Sequence, residues 1–143
     1  MSVTTILLPV FVQVALVFAL LFRLLFLRIE AVRAGAVDVR AIVDDDRAWP
    51  RRARLVNNAI RNQFELPVLF YALVAFALLT RKADIAFVVL SWVFVASRLA
   101  HALVHAGSDN VRLRLFFFAI GVLILLLMWA LFALALLAAP VVP

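Results

Sequence analysis

The 143-residue sequence contains no cysteine. That excludes disulfides, thiolate metal sites and a protein thiol nucleophile, so any thiol chemistry must use the thiol of a bound molecule. Glycine is nearly as scarce, with three residues, too few for glycine-lined helix crossings to be the packing theme. Lysine occurs once, at Lys82, so every other one of the 14 basic residues is Arg. No internal repeat, low-complexity linker or separate polar domain is present. The start, Met1-Ser2-Val3-Thr4-Thr5, lacks the basic region of a signal peptide. The apolar run that follows is too long for a signal-peptide core, so it reads as a retained membrane helix.

What is abundant is apolar surface. Hydrophobic residues make up 69% of the chain and the mean hydropathy is +1.18, values that belong to an integral membrane protein. Four segments carry it, at about 4–27, 54–80, 85–106 and 111–139. Together they predict an all-α, single-domain, four-helix membrane bundle. Arg81-Lys82-Ala83-Asp84 and Gly107-Ser108-Asp109-Asn110 read as tight turns, with Asp84 and Asn110 as helix starts. Neighbours joined by such turns run antiparallel.

The net charge of +6 does not point to nucleic acid, because no soluble domain exists to present it. A loop-side bias and an anionic ligand explain it better. The one long polar connection, about 28–53, holds Arg28, Arg33, Arg40, Arg47, Arg51 and Arg52 together with Asp44-Asp45-Asp46, and with the stretch around the turn between segments three and four it accounts for most of the Arg. The acidic triplet reads as solvated loop, with Asp44 or Asp46 available to cap a short helix and Trp49-Pro50 as an interfacial turn. By the positive-inside rule this loop is cytoplasmic and both termini lie on the opposite side.

Segment two opens with Asn57-Asn58-Ala59-Ile60-Arg61-Asn62-Gln63-Phe64-Glu65-Leu66-Pro67. On a helix, Asn58, Arg61, Asn62 and Glu65 stand at i, i+3, i+4 and i+7, one face. An Arg61–Glu65 ion pair serving as interhelical glue is one reading. The other is a binding site, since ionisable groups at membrane depth face a bundle interior or a wet cavity. Pro67 is expected to kink the helix and aim that face inward. Arg98, His101 and His105 form a second face, at i, i+3 and i+7, on segment three. Arg114 lies in the first turn of segment four, and Arg23 near the loop-side end of segment one, where it either snorkels or turns inward. From the loop side, Arg61 to Glu65 lie roughly 10–17 Å deep and Arg98 to His105 roughly 2–12 Å, at about 1.5 Å per residue. Polar groups from all four segments therefore gather in one half of the membrane. Such a cleft suits a ligand with several carboxylates and an amine, with apolar walls open to a lipophilic molecule. His101 and His105 are one turn apart, but no carboxylate on that helix completes a metal site.

These blocks resemble the MAPEG family, membrane-associated proteins of eicosanoid and glutathione metabolism. The resemblance rests on Arg61-Asn62-Gln63-Phe64-Glu65-Leu66-Pro67, Arg98-Leu99-Ala100-His101 and Asn110 to Arg114, and on the spacing between them. It covers nearly the whole chain and points to bacterial members, hence to a bacterial inner membrane. It implies a MAPEG-like protomer assembled as a homotrimer, with glutathione as cofactor held between protomers near the cytoplasmic side. It further implies that Arg61, Asn62, Glu65, Arg98 and His101 hold the peptide, and that Arg114 stabilises its thiolate for transfer to, or reduction of, a lipophilic electrophile. Arg23, Asn58 and His105 join the implied site. The chain departs from the family in three places. His105 stands where several members have Tyr, Asn58 where Arg is frequent, and Leu115 and Phe118 where some members carry hydroxyl groups. Some members bind lipid without chemistry of their own, which leaves a non-catalytic lipid-binding or scaffold role as the alternative.

Overall fold

A computed structural model describes residues 1–38, 40, 46–107 and 110–138. Five α-helices make up four spans: α1 (Val3–Arg33), α2 (Arg51–Gln63), α3 (Leu66–Leu79), α4 (Ile85–Gly107) and α5 (Val111–Leu137), with a short 3-10 turn at Asp46–Ala48. The spans Val3–Arg33, Arg51–Leu79, Ile85–Gly107 and Val111–Leu137 are each long and apolar enough to cross a membrane. Asp44, Asp45 and the tail from Pro140 lie outside the described residues.

Local chemistry sets the helix ends. Ser2 caps α1 through the Thr5 amide, Asp84 accepts the Phe87 amide at 2.8 Å, and Asn110 accepts the Leu113 amide at 3.0 Å. Both expected turn starts are therefore side-chain caps, each satisfying a donor that the first helical turn leaves open. The 31 residues of α1 reach about 46 Å at 1.5 Å per residue, well beyond a hydrocarbon core of about 30 Å. Its last two turns, with Arg28, Glu30 and Arg33, leave the apolar layer, so the helix outruns the expected end near Leu27. Arg28 then stacks on Trp49, its guanidinium carbon 4.8 Å from the ring centroid.

The second span is not one kinked helix. It breaks at Phe64–Glu65, where Glu65 adopts φ −97° and ψ −96°, and Pro67 sits in the first turn of the new helix. Proline has no N–H to give Gln63, and its ring would press on that carbonyl, so the chain restarts rather than bends. The break removes Glu65 from the α2 register, so the i, i+4 relation to Arg61 no longer holds.

α4 is the central helix, packed against α1, α2 and α5. Beyond α4, α5 packs on α3, and it buries only the stripe Gly121, Leu125 and Met128. Two apolar clusters result. One gathers Ile6, Phe70, Leu73, Phe94, Val95 and Met128, with the Phe70 and Phe94 rings stacked at 4.7 Å. The other, toward the loop side, gathers Leu20, Leu24, Val56, Ile60, Ala102 and Ala106. Gln13 and Gln63, both buried, share a 2.9 Å hydrogen bond that ties α1 to the last residue of α2.

Candidate functional site

The second α4 face has the polarity that the spacing predicts. Arg98, His101 and His105 are all buried, because α4 has neighbours on three sides. Between α2 and α5, over this face, lies a cavity of about 270 Å³. Asn62, His101, His105 and Arg114 supply its polar wall, and Val111, Leu115 and Phe118 its apolar wall.

The hydrogen bonds fix what the two imidazoles offer. His101 Nδ1 lies 3.0 Å from the Arg114 backbone carbonyl. A carbonyl only accepts, so this nitrogen carries the proton. The neutral ring then presents Nε2 as an acceptor, and that atom is buried with no hydrogen-bond partner among the described residues. His105 has the opposite tautomer. Asn62 donates Nδ2–H to the Asn58 carbonyl at 3.0 Å, which orients its amide, and the same nitrogen lies 3.3 Å from His105 Nδ1. His105 Nδ1 is thus an acceptor, and in the neutral ring Nε2 is the donor. The rings meet edge to face at 5.6 Å, so the α4 face carries an open acceptor beside a donor.

Behind this wall Arg98 is fully enclosed, at 0% exposure. Its Nη2 donates to the Asn62 carbonyl at 3.1 Å, and its guanidinium carbon lies 5.7 Å from the Phe118 ring centroid. Nε and Nη1 have no hydrogen-bond partner among the described residues. Gly121 makes the room: a Cβ there would meet Ser97 Oγ at 3.2 Å and Arg98 Cδ at 3.5 Å.

The face expected on segment two divides. Asn62 turns to the cavity. Asn58 and Arg61 are exposed and line a separate hollow of about 440 Å³, together with Arg47, Arg51 and Arg54. Glu65 is exposed at the break. Arg23 is exposed on α1 and lines neither space. The chain itself thus brings together residues of three spans, not four: Asn62 from the second, Arg98, His101 and His105 from the third, Arg114 from the fourth. Sequence reasoning passed over Gly121 and the Gln13–Gln63 bond. A glycine in so glycine-poor a chain, and two amides in apolar surroundings, were the available signals.

No curated protein and no solved structure matches this chain. Residues 6–134, however, match the model of the MAPEG family. That stretch spans all five helices except the first turn of α1 and the last residues of α5, and it includes every residue of the cavity wall. This four-span integral membrane protein belongs to the MAPEG family.

Proposed function

We propose that this protein binds glutathione and acts as a glutathione transferase or peroxidase on lipophilic electrophiles, using Arg114 to hold the sulfur as a thiolate. The observation that carries the reading is the buried acceptor at His101 Nε2, which has no hydrogen-bond partner among the described residues, in a cavity walled also by Arg114, Asn62 and His105. A buried polar atom without a partner is costly. A peptide thiol offers N–H and S–H donors for it, a carboxylate for arginine and an amide for Asn62, so the residues present fit glutathione. When bound, glutathione supplies the thiol that the cysteine-free chain lacks.

Arg114 acts by charge. A guanidinium beside sulfur favours the thiolate, and each pKa unit is worth about 1.4 kcal/mol. Phe118 and Leu115 keep that end of the cavity apolar, which excludes water and admits a lipophilic co-substrate from the bilayer. Asn58 and Arg61 on the exposed side of α2 and Glu65 at the break belong to the same reading as carboxylate and amine contacts, with Arg23 exposed on α1. Ionisable side chains exposed at membrane depth are costly unless covered. A homotrimer, in which a second protomer closes over them, supplies the cover and completes the cavity. The charge bias supports a cytoplasmic side for loop 28–53, and a bacterial inner membrane is part of the same proposal.

The test is Arg114→Ala in detergent-solubilised protein, with a hydrophobic electrophile and a lipid hydroperoxide as substrates. Loss of a group that stabilises developing charge lowers turnover by about 10²–10³-fold, while glutathione binding persists; unchanged turnover contradicts the reading. The alternative, a non-catalytic lipid-binding or scaffold protein, draws on the apolar Leu115 and Phe118 at the cavity end. It is recognised by ligand-dependent stabilisation with no turnover in wild type.

A further inference from the structure

We infer that Arg98 is a positioning residue. It is the tertiary cap of the broken second span, and it acts on the cavity through Asn62. At the break the Phe64 amide closes back on the Arg61 carbonyl at 3.0 Å, and the Asn62 carbonyl beyond it loses its helical donor. In an uninterrupted helix the Asn62 carbonyl would receive the amide of Leu66, four residues on. Here Leu66 begins a new helix, and the donor to that carbonyl is Arg98 Nη2, at 3.1 Å. Inside a bilayer no water stands ready to replace it, and an unsatisfied carbonyl there is costly.

Asn62 is then gripped twice by α4. Arg98 holds its backbone and His105 holds its side-chain amide. These two α4 residues are two turns apart on one face, so α4 fixes both the height and the orientation of the residue that forms the α2 side of the cavity. Arg98 itself is enclosed and does not line that cavity. Gly121 is the third part of the device. Its missing side chain is what lets α5 lie across Ser97 and Arg98 without displacing them. The inference does not depend on which ligand the cavity holds, and it stands or falls apart from the glutathione reading.

The cysteine-free chain gives a direct test, because introduced thiols have no native background. Spin labels at Arg52→Cys and Leu79→Cys, both exposed, bracket the break. On an unbroken helix these positions would be about 40 Å apart at 1.5 Å per residue. Pulsed electron spin resonance in lipid nanodiscs reads the distance distribution. The expected result is one narrow distribution in the wild-type background and in Arg98→Lys, whose ammonium can also donate to the carbonyl. In Arg98→Leu the distribution should broaden and its mean shift. An unchanged distribution in Arg98→Leu overturns the inference, and so does a change of equal size in Arg98→Lys. If Arg98→Leu does not fold, Gly121→Val replaces it, since that side chain displaces the guanidinium without removing it. Broadening is again expected there, and an unchanged distribution again overturns the inference.

Discussion

Asn62 shows how much a single residue can carry. Its carbonyl, its amide and its place at the end of α2 are used at once, by Arg98, by His105 and by the cavity. The same economy appears at Arg81, which adopts φ 55° where the second span turns into the third. The Lys82 amide bonds back to the Ala77 carbonyl at 2.9 Å and that of Arg81 to Leu78 at 3.2 Å, the closing pattern usually given to glycine. A left-handed residue with a Cβ costs roughly 1–2 kcal/mol. Arg81→Gly should therefore raise stability by about 1 kcal/mol, read by thermal unfolding in detergent, and a loss of stability would show that the arginine side chain has a role of its own. Asp84→Ala should do the reverse, costing about 1 kcal/mol through the lost cap, with Asp84→Asn close to neutral.

At the scale of elements, the distinction between what was legible and what was not is physical. The four spans, the tight turn after the second span, the Asn110 cap and the inward face of α4 follow from local periodicity and from capping residues, and the structure contains them; Ser108 and Asp109 of the other expected turn lie outside the described residues. The break before Pro67 was expected as a kink, because a proline announces a missing hydrogen bond but not whether the chain bends through the gap or restarts. The division of the α2 face was hidden for a related reason. Helical spacing groups Asn58, Arg61 and Asn62, but only the placement of α4 decides that Asn62 turns inward while the other two face the arginine hollow. Arg23 likewise stands near the loop-side end of its segment in the sequence with no means of telling its direction; it is exposed on α1. The Gln13–Gln63 bond lies fifty positions apart in sequence, and no periodicity links them. In a membrane such interhelical bonds average about 0.6 kcal/mol and reach about 1.7 kcal/mol. Gln13→Leu should cost an amount in that range, measured by reversible unfolding in mixed micelles. A larger loss would mean that α1 docks on the break chiefly through this contact.

For the molecule as a whole, the decisive feature is uneven burial. α4 is the most buried span, whereas α1 and α5 expose long apolar surfaces, including Phe11, Phe18 and Phe22 on one and Leu115, Phe116 and Leu123 on the other. Those faces suit lipid. The exposed Arg23, Arg61 and Glu65 do not, and on the proposed reading a neighbouring protomer meets them together with the ligand. The site would then have two halves: a built half of Asn62, His101, His105 and Arg114, and an open half that assembly closes. Ligand binding and subunit association should in that case be linked, each strengthening the other. The most direct measurement is the thermal stability of the detergent-solubilised protein titrated with glutathione, with wild type, His101→Leu and Glu65→Gln side by side. At about 100 times its dissociation constant, glutathione should stabilise the wild type by about 2.7 kcal/mol, and the gain should shrink in both variants. No stabilisation of the wild type at millimolar glutathione would contradict the account and leave the cavity to a different ligand.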